Sequence, residues 1–235
     1  MVIGSIIVAA ETEFEMQLDG ISNTEGLQLI VAGDLFVDSQ VQSDSVVFFT
    51  VGGSVTQSAT GTITAEQLGL AVGVETILAS NNDVNIVAAS NAGQTLFNDI
   101  DELEIGTVAI AANTDFEIQA TGITTLNSDV KINATGNLTI EQQVATGTGS
   151  FFVVANGDVQ QSATGIISTN QLGLMVQGQT TLDSLNDVNT FAAANNGLTI
   201  FNDDNDLTIG TTIACLLYTS PSPRDQRGSR MPSSA

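Results

Sequence analysis

The stretch 48–107 of this chain occurs twice, and that repetition limits the fold more than any other feature. Gln-Ser-Ala-Thr-Gly begins at Gln57 and again at Gln161. Gln-Leu-Gly-Leu starts at Gln67 and Gln171, Asn-Asp-Val-Asn at Asn82 and Asn186, Phe-Asn-Asp at Phe97 and Phe201, and Ile-Gly-Thr at Ile105 and Ile209. All five pairs share one offset of 104 residues. A fixed internal period marks arrays and solenoids. It also argues against an enzyme, because a single catalytic cleft needs no second copy. The Ile-Gly pair stands a third time at Ile3-Gly4. The organisation predicted is a first unit over 1–107, a second over 108–214 and a tail over 215–235, with a third unit starting at Ile209.

The tail differs in composition from everything before it. All three prolines, the only cysteine (Cys215), the only tyrosine (Tyr218) and three of the four basic residues lie beyond residue 214. Cys215-Leu-Leu-Tyr-Thr-Ser-Pro-Ser-Pro-Arg-Asp225, followed by Ser229-Arg-Met-Pro-Ser-Ser-Ala235, resembles the in-frame translation of a sequencing-library adapter of the transposase type. The resemblance implies that 215–235 is non-native; the alternative is a basic, disordered tail. Such scars are kept out of fold reasoning.

The remaining body has no Cys, Pro, His, Trp or Tyr. A disulfide, a thiol nucleophile and a Cys/His zinc site are excluded. A Ser-His-Asp triad lacks its base. The body carries 25 acidic residues against Lys131 alone, a net charge of −24. Nucleic acid is excluded as a partner, because phosphate binding depends on Lys and Arg. Anionic membrane surfaces are disfavoured for the same reason. No run approaches the ~18–20 apolar residues of a membrane-spanning helix. Met1-Val-Ile-Gly lacks the basic start of a secretory signal. With Met1 inside a repeat, the expectation is a fragment whose signal region lies elsewhere.

Apolar residues alternate with polar ones through the body. Val130, Ile132, Ala134, Leu138 and Ile140 do so, and Leu27, Leu29, Val31, Leu35 and Val37 repeat the pattern 103 residues earlier, with Gly33 matching Gly136. Phe14, Met16 and Leu18 alternate likewise, as do Phe116, Ile118 and Ala120. Period two places alternate side chains on opposite faces of a strand. Thr, Val and Ile favour strands, and Gly, Asn and Asp supply the turns. Helical spacing is confined to Ala65–Ala71.

Two all-β architectures fit a unit of about 103 residues: a tandem array of Ig-like β-sandwiches, or about five coils of a parallel β-helix at roughly 20 residues each. Three features favour the second. Gly-x-Leu-x-Ile phrases echo within each unit. Trp, Tyr and Pro, which pack and terminate sandwich strands, are missing. Asn81, Asn82, Asn85, Asn186 and Asn189 suit corners where stacked amides form ladders. The doubled Phe48-Phe49 and Phe151-Phe152 are expected to stack inside the shaft or plug it.

Val130-Lys-Ile-Asn-Ala-Thr-Gly-Asn-Leu-Thr-Ile140, Gly157-Asp-Val-Gln-Gln-Ser-Ala-Thr-Gly-Ile-Ile167 and Phe201-Asn-Asp-Asp-Asn-Asp-Leu-Thr-Ile-Gly-Thr211 resemble repeats of filamentous-haemagglutinin-type and autotransporter-type bacterial surface proteins. The resemblance spans most of 1–214. It implies a right-handed parallel β-helix, export to the bacterial cell surface or beyond, and adhesion to host or neighbouring-cell molecules, glycans or matrix. No membrane insertion is expected, since no apolar run is long enough for a spanning helix.

Two acidic clusters are the candidates for chemistry. Asp203, Asp204 and Asp206 stand with Asn202 and Asn205; Asp99, Asp101, Glu102 and Glu104 are the counterpart. Hard oxygen ligands at short spacing could bind Ca²⁺, although the EF-hand and glycine–aspartate nonapeptide patterns fail. The bland alternative is a solvated turn. Paired carboxylates could serve a glycosidase, but the body offers no His, Arg, Tyr or Trp to hold a sugar. Asn133-Ala-Thr and Asn137-Leu-Thr match glycosylation sequons and are read as strand residues. The reading is a non-enzymatic extracellular structural or adhesive repeat segment, with no catalytic, cofactor or metal residue assigned. The alternatives are Ig-like adhesin repeats and a carbohydrate-active β-helix.

Overall fold

The computed structural model describes residues 1–3, 5–9, 15–111 and 117–213. The tail over 215–235, Phe14 and Phe116 lie outside them. The described chain is all-β, without helix, and winds into a parallel β-solenoid of about nine turns. Twenty of its strands join one sheet system, and every pairing from coil to coil is parallel, as at Leu27–Val47 and Val130–Phe151. Ig-like sandwiches are therefore ruled out, since they are built from antiparallel pairs. The stretch Ala65–Ala71 belongs to the strand Ile63–Val72.

Register sets the length of each coil. Leu27 pairs with Val47, Val47 with Leu68, Leu68 with Val87 and Val87 with Ile105. Those steps run from 18 to 21 residues. The next, Ile105 to Ile140, takes 35. The difference is an inserted antiparallel hairpin, Thr107–Ala111 with Glu117–Thr121. A twin hairpin, Ser5–Ala9 with Glu15–Asp19, stretches the step from Val2 to Phe36 to 34 residues. Met16, Leu18, Ile118 and Ala120 thus alternate in hairpin strands rather than in coils. Gly122 returns the second hairpin to the solenoid at φ 64°, and a β-carbon there would run into the backbone carbonyl of Gln143. Only glycine fits both demands.

The hairpin changes how the unit maps onto the coil. The expected five coils become about four and a half, because some fifteen residues of each unit leave the path. Leu27 heads the file Val47, Leu68, Val87, Ile105, Ile140. Its repeat equivalent Val130 instead joins Thr95 and Thr76 on one side and Phe151 and Leu172 on the other. Equivalent residues of the two units therefore sit half a turn apart, on opposite sides of the coil. The two hairpins leave from opposite sides for the same reason.

Inward files of Ile, Leu, Val and Phe form one continuous core from Ile3 to Phe191. Burying one such side chain contributes about 1.5–3 kcal/mol, so files of aliphatics hold the shaft without large aromatics. Phe49, Phe97 and Phe151 lie in that core, and the Phe191 and Phe201 rings stack at 4.5 Å. The expectation that both members of each Phe pair enter the shaft fails. Neighbouring residues of a strand must face opposite sides, so Phe48 and Phe152 point outward.

Phe48 is nevertheless fully buried. It joins a second apolar cluster outside the shaft, with Val46, Ala88 and three residues of the hairpin, Val108, Ile110 and Ala120. The hairpin folds over the outer face of the first unit. Gly69 makes room for the Phe48 ring, which a β-carbon at that position would strike. Val108→Asp should strip the hairpin from this face while the shaft persists. The expected result is faster hydrogen exchange over 107–111 and new binding of an apolar dye at Phe48, with the circular dichroism of the strands retained.

Candidate functional site

The most constrained polar groups are buried at two corners that repeat one another. Gln57 falls on the strand Val55–Gln57 in register with the buried Val37. Its amide turns toward Asn82, which is fully buried. Gln57 Nε2 donates to Asn82 Oδ1 at 2.6 Å and to the Gly61 carbonyl. Asn82 Oδ1 also accepts from the Ile63 N–H at 3.0 Å. Asn82 Nδ2 donates to the carbonyls of Ser80 and Asn98 at 3.1 and 3.0 Å, and the Ser80 N–H donates to Gln57 Oε1. Gln161, Asn186, Gly165, Ile167, Ser184 and Asn202 reproduce the arrangement. Gln161 Nε2 to Asn186 Oδ1 is again 2.6 Å.

These amides are structural pins. Each crosses from one coil to the next where the backbone turns a corner and its N–H and C=O groups lose strand partners. A buried polar group left unpaired costs about 1–3 kcal/mol, so pairing all of them fixes the corner. The expected ladder of stacked asparagines is realised differently. Asn98 and Asn133 do meet side chain to side chain, as do Asn170 and Asn189, but Asn82 and Asn186 each pair with a glutamine. Sequence reasoning passed over Gln57 and Gln161. The available signal was a polar residue, identical in both units, at a place where the alternation calls for an apolar one.

The acidic clusters divide into an inner and an outer part. Asp99 is buried, and its Oδ1 accepts from the Val84 N–H at 3.0 Å while Oδ2 accepts from the Asp101 N–H at 3.2 Å. Asp203 repeats the first of these with Val188 at 3.0 Å. Both carboxylates cap a turn rather than face a ligand. Asp101, Glu102, Asp204 and Asp206 are exposed. Glu102 accepts from Asn137 Nδ2, and Asn205 donates to Asp187. Asn202 donates to the Asp183 carbonyl. Among the described residues, no three acidic side chains converge as a metal site would require. Of the two sequons, Asn133 lies in the strand Val130–Ala134, whereas Asn137 precedes the next strand and accepts the Asp158 N–H.

Burial above all, and then the neighbouring Asp101 carboxyl, push Asp99 from 3.8 up to about 7. Asp203 is raised, chiefly by burial, and Glu104 is raised by burial and by the charge of Glu141. A carboxyl with a raised pKa holds its proton more tightly folded than unfolded. The contribution of Asp99 to stability is therefore fully present below the unfolded value of 3.8 and is lost as pH climbs through about 7.

Two outcomes follow. Asn186→Ala should destabilise the chain by roughly 2–4 kcal/mol in urea titrations, because it strands Gln161 and the Ile167 N–H and leaves a cavity. A loss below about 0.5 kcal/mol, the range of an ordinary surface change, would show that the corner does not depend on the amide. At constant ionic strength the melting temperature should drop between pH 4 and pH 8. Asp99→Asn should flatten that drop, and an unchanged profile would count against Asp99 as its source. Compared with known protein families, curated proteins and solved structures, the chain matches none.

Proposed function

We propose that this chain is a non-enzymatic structural or adhesive repeat segment of an extracellular or surface protein of bacterial type. It works as a stiff spacer whose outward faces present carboxylates and amides to host or neighbouring-cell molecules, glycans or matrix. The observation that carries this reading is the unbroken stacking from the first unit into the second. The strands 95–99 and 103–105 of the first pair in parallel with 130–134 and 138–140 of the second, as coils within one unit do. A junction paired in parallel like the interior, with the inserted hairpin held outside the coil path, lets units be added without a hinge, and repeat arrays of this sort extend in one dimension. The acidic surface, at −24 over 1–214, fits a secreted chain that must stay soluble.

Length provides the test. Parallel strands rise about 4.8 Å per coil, so a unit of four and a half turns adds about 22 Å. Chains carrying three and four copies of the unit 108–210 should gain that increment per copy in maximum dimension by small-angle X-ray scattering. Increments of globular, flexibly joined size would defeat the spacer reading. Cleavage of any member of a polysaccharide panel by the purified chain would replace it with a carbohydrate-active enzyme.

A further inference from the structure

The second unit carries a groove that the first unit has filled. In the first, the outward residues Phe48, Ala71 and Ala88 pack against the hairpin strands Thr107–Ala111 and Glu117–Thr121, with Gly69 beside the Phe48 ring. Their equivalents are Phe152, Gly173, Met175 and Ala192. With Ala194 and Lys131 they line an open groove of about 550 Å³. Phe152 is only partly buried where Phe48 is fully so, and Met175 is 60% exposed. The floor is conserved in kind: Gly173 gives way to the Phe152 ring as Gly69 does to Phe48. The rim differs, with Met175 for Ala71, Thr190 for Ile86 and Ser150 for Val46.

We propose that this groove is the seat of a β-hairpin of the type formed by Thr107–Ala111 and Glu117–Thr121, entered directly from Gly210 in a further repeat unit. The path of the chain supports that occupant over a second copy. Beyond Ile209-Gly210, the counterpart of Ile105-Gly106, Thr212 already lines the groove beside Gly173. The Ile213 N–H donates to Gln171 Oε1 at 3.2 Å. Residues 211–213, the sequence counterparts of 107–109, thus already reach over the groove, and they stand in the way of a hairpin arriving from another molecule. The apolar side chains that would fill the floor are those at the positions of Val108, Ile110 and Ala120. Each hairpin then locks the outer face of the unit before it, and successive locks alternate sides because each unit ends half a turn out of phase. The inference rests on the array reading above but is tested separately from it.

The test compares the full chain with two grafts in which 211–235 is replaced by a copy of 107–124 or of 5–22. Both available hairpins are used because the rim has changed. The measure is oxidation of Met175 by dilute peroxide, followed by mass spectrometry, with sedimentation run in parallel. At least one graft should oxidise at Met175 about tenfold more slowly than the full chain, as expected when an exposed side chain becomes closed off from solvent except by local opening. The same graft carrying Val108→Asp and Ile110→Asp, or their counterparts Ile6→Asp and Val8→Asp, should lose the protection. Equal rates in every chain would overturn the proposal. So would a full chain that sediments as an oligomer with Met175 already protected, which would give the groove to a second copy. Failure here with normal length increments in the concatenated chains would leave the spacer reading intact.

Discussion

Parallel pairing of each coil with the next is the interaction on which everything else in this structure depends. It fixes the rise per turn and places each residue above its counterpart from the coil below. It also forces inward and outward positions to persist along a file. Val47, Leu68, Val87 and Ile105 can form one apolar column only because register holds from turn to turn. A slip of one residue would turn the whole file to solvent. The buried files thus both benefit from the register and enforce it.

Corners are where this scheme is weakest, because the backbone must turn and its polar groups leave the ladder. The chain meets that problem with the same amide pair twice. Gln57 with Asn82 and Gln161 with Asn186 satisfy each other and the turning backbone at matching distances. The capping carboxylates Asp99 and Asp203 act alongside them, at the cost of desolvating an acid. That cost is why their pKa values rise.

The hairpins add a second layer of organisation. They withdraw about fifteen residues from each unit, shorten the winding to four and a half turns and so rotate successive units by half a turn. The outer apolar face of the first unit, which alternation alone would leave wet, becomes the seat of the second hairpin. Phe48 under Val108 and Ile110 is the filled case, and Phe152 beside Met175 is the open one.

The sequence by itself determined the repeat, the all-β class, the strands and most of the inward residues. A period of two and a period near one hundred are both local patterns of residue type, and a parallel stack reads them directly. It also placed Asn82 and Asn186 at corners. Only the tertiary structure decided which residues those amides would meet, because Gln57 and Asn82 are brought together by one turn of the coil and nothing in their spacing reveals it. The acidic clusters offered hard oxygen ligands or a solvated turn in the sequence, and only folding turned Asp99 inward onto a backbone N–H. The outward Phe of each pair, and the hairpin that covers the first, were likewise settled in three dimensions. Alternation says that a side chain points out, but only the folded chain determines whether water or another strand is waiting there.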